Sequence, residues 1–229
     1  MQQIRCYGDE RNKGFCVHCG GQSETVDHVP SRVLLDEPYP DNLMAAPACR
    51  KCNNEFSIDE EYLACLLECV IAGDTTPEKL RRAKISRILQ RNPSLLERLQ
   101  RAWMNDVHGP VWAVELDRVN RVIVKLARCH AAFEFNEPQL HEPSHLEVKP
   151  LPLMTKAERE AFERDDDRFE VWPEVGSRAM QRVLMMDSEA FVEWLAVQEG
   201  NYRFRTSQAN GLTVKIVLRE YLGCKVVWD

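Results

Sequence analysis

The first quarter of the chain combines short apolar stretches with many turn-forming residues. Over residues 14–57, Cys, Gly, Pro and Asn interrupt these stretches, which predicts turns and short strands rather than long elements. A helical repeat then begins near Asn53 or Ser57 and continues to Ala72, with Gly73 as its stop. The apolar face of this predicted helix consists of Tyr62, Leu63, Leu66, Leu67, Val70 and Ile71.

The middle of the chain has mostly helical patterns, between about residues 77 and 135. Thr76-Pro77 is typical of a helix start, and Asn92-Pro93 opens a second helix that continues to about Met104. A short strand is predicted over 111–115 and a further helix over 118–133. Residues 136–153 contain four prolines and are predicted to form an irregular connection, after which Thr155 caps a short charged helix.

The last part of the chain, about residues 191–228, changes to strand-like segments rich in Val, Ile, Tyr, Phe and Trp. Asn210-Gly211 between two of these segments favours a tight hairpin. The predicted strands are 191–198, 202–207, 212–219 and 223–228. The sequence therefore predicts an α+β fold, with a small module over residues 1–72 and a larger α+β region over 73–229.

Composition and charge narrow the class of protein. The chain is 44% hydrophobic and 29% charged, as in ordinary globular proteins, and no apolar run reaches the roughly 18 residues that a membrane span needs. The first residues lack the apolar core of a signal peptide, so a cytoplasmic protein without membrane contact is expected. The net charge of −6 does not favour nonspecific nucleic-acid binding, although residues 78–101 carry eight Lys/Arg against two Glu.

Two pairs of cysteines indicate a metal site. Cys16 and Cys19 form one Cys-x-x-Cys turn, Cys49 and Cys52 form another, and 29 residues separate the pairs. Four thiolates arranged in this way form a closed tetrahedral site, which predicts a structural Zn²⁺. His18 lies inside the first pair and is a further candidate ligand. The other five cysteines (Cys6, Cys65, Cys69, Cys129 and Cys224) are interpreted as packing thiols.

The residues between and after the cysteine pairs have a specific order. Val26-Asp27-His28-Val29-Pro30 and Asn42-Leu43 lie between the pairs, and Asn53-Asn54 follows Cys52 directly. This arrangement, over residues 14–60, resembles the HNH (ββα-metal) endonuclease family, in particular its branch with two zinc knuckles. The resemblance implies a metal-dependent endonuclease that hydrolyses DNA phosphodiester bonds, with RNA as a second candidate substrate and bacterial defence as a suggested role.

The resemblance also implies roles for individual residues. His28 would be the general base, Asp27 and Asn53 would hold a catalytic divalent cation such as Mg²⁺, and Asn42 would orient the histidine. Asn54 is the alternative to Asn53. Neighbours on a strand point to opposite faces, so Asp27 and His28 can serve one site only if the strand ends or bends there.

The sequence also suggests residues that contact DNA, a role for the rest of the chain and an alternative function. Arg32, Arg50 and Lys51, close to the motif in sequence, are candidates for contacts to DNA, whereas the basic helix after Thr76 is interpreted as a solvated face. Residues 73–229 are expected to position substrate, to recruit a protein partner or to form a homo-oligomer. The alternative function is a catalytically inactive, zinc-stabilised adaptor that binds nucleic acid or protein, since no basic residue follows the Cys52-Asn53 step as it often does in the family.

Overall fold

The computed structural model describes residues 10–229 apart from positions 42, 108, 165–171, 186–193 and 210, and it has an α+β fold. The helices are α1 Glu10–Lys13, α2 Arg50–Ala72, α3 Ala83–Arg91, α4 Pro93–Ala102, α5 Leu116–Phe135, α6 Lys156–Glu163 and α7 Arg178–Met185. The strands are β1 Thr25–Val29, β2 Met44–Ala48, β3 Trp103–Asp106, β4 Gly109–Trp112, β5 His145–Pro150, β6 Leu195–Gln198, β7 Tyr202–Ala209, β8 Gly211–Leu218 and β9 Leu222–Trp228.

A two-stranded hairpin followed by a long helix forms the first part of the fold. Strands β1 and β2 pair antiparallel, with Asp27 opposite Ala46 and His28 opposite Ala45. Helix α2 follows β2 directly and begins at Arg50, which is earlier than the predicted start at Asn53 or Ser57. The sulfur of Cys49 accepts a hydrogen bond from the backbone N–H of Cys52 and so caps the helix, a role that the sequence pattern did not indicate. Gly73 ends α2, as predicted, and it adopts the left-handed conformation.

Helix α5 lies at the centre of the molecule. Its second half is buried almost throughout, including its charged residues Lys125, Arg128 and Glu134. One side of α5 packs against α2 and the hairpin, and another side packs against the C-terminal sheet. A helix that is enclosed in this way carries its polar side chains into the interior, where each needs a partner.

Five antiparallel strands form the large sheet, in the order β5-β9-β8-β7-β6. Alternating residues of β8 point to its two faces: Val214 and Ile216 join the main core, whereas Val217 packs with Leu151 and Phe162 on the other face. Gly211 begins β8 at a φ of 93°, and a Cβ there would lie 2.2 Å from the carbonyl oxygen of Trp228. The turn predicted at Asn210-Gly211 includes Asn210, which lies outside the described residues.

Three sequence-based assignments were wrong in detail. Residues 136–153 are not wholly irregular, because His145–Pro150 forms the edge strand β5 and pairs with β9. The helix predicted from Thr76 is only a 3₁₀ turn over Pro77–Lys79, and α3 starts later. The strand predicted over 111–115 lies slightly earlier in the chain, as β4 over Gly109–Trp112, and it pairs with β3 in a small hairpin.

One hydrophobic core includes residues from both sides of position 73. Val29 and Leu63 from the first part belong to the same buried cluster as Ile123 and Val214 from the second. The hairpin and α2 therefore do not enclose a separate core of their own.

Candidate functional site

The hairpin–helix unit, meaning β1, β2 and α2, brings the two cysteine pairs together. Cys16 and Cys19 lie in the turn before β1, while Cys49 follows β2 and Cys52 lies in the first turn of α2. The first turn is held by hydrogen bonds from Gly20 N to Cys16 O, at 2.9 Å, and from Cys16 N to Gly21 O, at 2.7 Å. A bond from Val17 N to Pro47 O, at 3.0 Å, then ties this turn to β2.

These four residues, the cysteine cluster, form a group that could hold a metal ion. Their sulfur atoms all lie within 4.8 Å of one another, and the Cys19 and Cys49 sulfurs are 3.8 Å apart. The backbone N–H of Cys52 lowers the pKa of Cys49, which favours the thiolate form that metals bind. The convergence of the cysteines that was predicted from their spacing is confirmed.

Strand β1 turns its two central side chains to opposite sides. Asp27 is buried, with only 4% of its surface exposed, whereas His28 is partly exposed. The strand keeps its regular alternation through Val29, and Pro30 follows only after the strand ends. Asp27 therefore points into the core and His28 points outward.

The carboxylate of Asp27 has a partner for each oxygen. Oδ1 accepts a hydrogen bond from Lys125 Nζ at 2.7 Å, and Oδ2 lies 3.0 Å from His18 Nε2. Burial alone would raise the pKa of Asp27, but the Lys125 ammonium and the hydrogen bond from His18 hold it below the usual value. The side chain is thus an ionised, fully paired group in the interior.

Lys125 connects this carboxylate to α2. Its ammonium also donates to Glu60, at 2.5 Å, and to the hydroxyl of Ser31, at 3.1 Å, and Ser31 itself donates to Glu60. Burial opposes the charge of Lys125, but the carboxylates of Asp27 and Glu60 raise its pKa above the usual value. We call Lys125, Asp27, Glu60 and Ser31 the buried lysine network.

His28 lies beside a cationic surface. Its Nε2 is 3.4 Å from an Arg32 guanidinium nitrogen, and burial together with the charge of Arg32 lowers the pKa of His28. Lys84 from α3 donates to the carbonyl of Arg32 at 2.8 Å and to the hydroxyl of Tyr39 at 2.7 Å. Arg32 thus lies against His28, and Lys84 and Tyr39 lie beside Arg32.

The remaining predicted site residues lie at the start of α2 or outside the described part of the chain. The side-chain amide of Asn53 donates to the carbonyl of Val26, at 3.4 Å, so α2 is tied to β1 at this point. Arg50 and Lys51 are exposed in the first turn of α2. Asn42 lies outside the described residues.

The sequence reasoning missed the interior partners of Asp27. Lys125, Glu60 and Cys129 were not singled out for a site, and His18 was considered only as a substitute ligand for the cysteine cluster. The available signal was a lysine, an arginine and a histidine in the otherwise apolar run Val122–Phe133, since an enclosed cation needs an enclosed anion.

None of the helices in the described part of the chain combines the length and apolar character needed to cross a membrane. Comparison of the whole sequence and structure with family models, with curated proteins and with solved structures found no match.

Proposed function

We propose that this chain is an endonuclease that hydrolyses DNA phosphodiester bonds on the outward face of its hairpin–helix unit. The observation that carries the proposal is the placement of His28, which β1 turns outward beside Arg32 in a unit with the strand–strand–helix order of the ββα-metal nucleases. His28 is the general base that takes a proton from the attacking water; the water oxygen bonds to phosphorus, the bond to the sugar oxygen breaks, and that oxygen takes up a proton from solvent. RNA is the second candidate substrate.

Cationic side chains around His28 support binding of a phosphate. The transition state of phosphodiester hydrolysis carries extra negative charge on its phosphoryl oxygens, which Arg and Lys stabilise. Arg32 lies against the imidazole, and Lys84 is held beside Arg32 by its bond to the Arg32 carbonyl. Arg50 and Lys51 are two further exposed cations of the hairpin–helix unit, at the start of α2.

Zinc is the metal that we propose for the cysteine cluster. Four thiolates within 4.8 Å of one another match the donor set of structural zinc, and a site closed by four protein ligands leaves no position for substrate. The ion would join the turn before β1 to the first turn of α2, so its binding energy stabilises the frame that presents His28.

A catalytic Mg²⁺ between Asp27 and Asn53 does not fit this geometry. Asp27 is buried on the inward side of β1, where Lys125 donates to its Oδ1, whereas Asn53 lies at the partly exposed start of α2. Asn53 directs its amide nitrogen to the Val26 carbonyl. The proposed cleavage is therefore assigned to His28 and the cationic side chains, and we route no step through an ion at Asp27.

Cleavage assays with a matched pair of histidine variants test the proposal. The wild-type chain is incubated with supercoiled plasmid, linear duplex, single-stranded DNA and RNA, each with Mg²⁺ and with chelator. We expect cleavage of at least one substrate and a loss of about 100-fold or more in His28→Ala, as is typical when a general base is removed. His145→Ala, which removes an exposed imidazole on β5, is the control and should cleave at the wild-type rate.

The outcomes separate the parts of the proposal. Equal cleavage by wild type and His28→Ala would refute the role of His28. Cleavage that is lost with chelator while the cysteine-bound metal is retained would mean that a divalent ion acts at this face, with ligands other than the paired Asp27.

A binding adaptor without catalysis is the second candidate, and the buried lysine network favours it. An ammonium lies against Asp27, the residue that the family resemblance assigns to the catalytic metal. For this function, we expect no cleavage by wild type or by His28→Ala, together with micromolar or tighter binding of labelled DNA in fluorescence anisotropy. Arg32→Ala should weaken that binding, and the loss should diminish as the salt concentration rises.

A further inference from the structure

A second cluster of metal-ligating side chains lies in the interior behind the hairpin–helix unit. His18 comes from the turn before β1, Asp27 from β1 and Cys129 from α5. One ligand atom from each, namely an imidazole nitrogen, a carboxylate oxygen and a sulfur, lies within 4.8 Å of the other two. All three residues are buried, with exposed fractions of 6%, 4% and 0%.

Hydrogen bonding pairs two of these three groups and leaves the third with a longer contact. The same atom, His18 Nε2, faces Asp27 Oδ2 at 3.0 Å and Cys129 Sγ at 3.8 Å. A neutral ring nitrogen either donates one proton or accepts one. If it donates to Asp27, it has no lone pair for the Cys129 thiol, and if it accepts from Cys129, its lone pair faces a carboxylate oxygen.

A metal ion placed among the three atoms would receive a lone pair from each. Tetrahedral zinc with Zn–N of about 2.05 Å, Zn–O of about 2.05 Å and Zn–S of about 2.3 Å separates its nitrogen and sulfur ligands by roughly 3.6 Å, and nitrogen and oxygen by roughly 3.4 Å. The observed separations of 3.8 Å and 3.0 Å differ from these by a few tenths of an ångström. A nitrogen, a sulfur and an oxygen ligand suit zinc and do not suit Mg²⁺.

The charges around the group also favour a cation. Asp27 and Glu60 are two buried carboxylates that share the Lys125 ammonium, so one negative charge is in excess when His18 binds a metal through its neutral imidazole. Coordination would release the Cys129 thiol proton to solvent and add a second negative charge as thiolate. A divalent ion balances both, which removes the large cost of an uncompensated buried charge.

We propose that His18 Nε2, Asp27 Oδ2 and Cys129 Sγ bind a second zinc ion in the interior, distinct from the ion of the cysteine cluster. Three protein ligands leave a fourth position for a water molecule. The ion would join α5 to the hairpin, so that the large C-terminal region is held to the hairpin–helix unit by metal as well as by packing.

Metal stoichiometry of the full-length chain tests this second site. The protein is purified without chelator from zinc-supplemented medium, and zinc per chain is measured by mass spectrometry. We expect about two zinc ions per wild-type chain, one in Cys129→Ala, and one in Cys49→Ser, which removes a ligand of the other cluster. Cys224→Ala removes a different fully buried thiol, on β9, and should keep both ions.

Several results would overturn the second site. A wild-type stoichiometry of one, or an unchanged stoichiometry of two in Cys129→Ala, would each contradict it. If Cys129→Ala does not fold, as judged by circular dichroism, Cys129→Ser is measured in its place. The outcome is independent of the nuclease assay, because metal content does not depend on cleavage, and the Cys49→Ser variant reports on the cysteine cluster separately.

Discussion

Two adjacent residues, Asp27 and His28, have opposite environments because strand neighbours point to opposite faces. The inward residue is a carboxylate, and it keeps its charge because Lys125 lies 2.7 Å away and His18 lies 3.0 Å away. The outward residue is an imidazole beside a guanidinium, in contact with solvent. The motif that suggested one catalytic centre thus has Asp27 in a buried network and His28 at the surface.

Replacement of Lys125 by methionine should destabilise the protein strongly. The substitution keeps the length and apolar stem of the side chain but leaves Asp27 and Glu60 without their shared cation in the interior. Breaking a buried ion pair from one side typically costs about 3–5 kcal/mol. We expect a loss of that order in the free energy of unfolding, measured by urea titration at pH 7.

The matched control for this substitution is Lys156→Met on α6. Lys156 is 91% exposed and pairs with Glu160 at 3.8 Å, a surface pair worth at most about 1 kcal/mol. A loss in Lys125→Met no larger than that of the control would show that the buried network does not stabilise the fold.

At the scale of elements, α5 completes the interior side of the hairpin. Lys125 and Cys129 lie four residues apart, about one helical turn, and so reach the hairpin from the same side of α5. Helix α2 supplies Glu60 to the same network. The hairpin, α2 and α5 therefore all have to be in place before the buried lysine network is complete.

Asp36, in the loop between β1 and β2, makes a second set of contacts between elements. It receives hydrogen bonds from Arg82, at 2.5 Å, and from Arg219 at the β8–β9 turn, at 2.7 Å. Burial would raise the pKa of Asp36, but these two guanidinium groups hold it below its usual value. A lowered pKa means that the contribution to stability is present at neutral pH and is lost as the pH falls through the folded-state pKa.

Asp36→Asn should therefore destabilise the protein in a pH-dependent manner. Because the carboxylate is partly exposed, solvent screening limits the expected loss at pH 7 to about 1 kcal/mol. The difference from wild type should shrink below about pH 4, where the carboxyl of the unfolded wild-type chain takes up a proton while the folded one is still charged. Asp41→Asn, an exposed carboxylate in the same loop, is the control for urea titrations at both pH values, and a pH-independent difference in Asp36→Asn would contradict the argument.

At the scale of the whole molecule, the shared core determines which parts of the chain can fold on their own. Val29 and Leu63 of the hairpin–helix unit are buried in the same cluster as Ile123 and Val214, which lie beyond residue 73. The counter-charge of Asp27 and Glu60 also lies beyond that position, on Lys125. The hairpin–helix unit therefore depends on α5 for both apolar cover and charge balance.

A chain cut after residue 72 should fail to fold cooperatively even with zinc present. Its cysteine cluster is complete, but the apolar faces of α2 and β1 would be exposed and two carboxylates would lose their cation. Circular dichroism melts of residues 1–72 with one equivalent of zinc should show no cooperative transition, in contrast to the full-length chain. A sharp, zinc-dependent transition of the fragment would show that the cysteine cluster alone is sufficient for folding.

Local signals in the sequence determined the α+β class, the convergence of Cys16, Cys19, Cys49 and Cys52, and the C-terminal antiparallel strands. Each depends on spacing or periodicity over a short stretch, which a linear pattern carries directly. Only the tertiary structure decided that Asp27 faces Lys125, 98 residues away, and that His18 and Cys129 lie together, 111 residues apart. Such partners are selected by the packing of α5 against the hairpin, and no local pattern of residues specifies that packing.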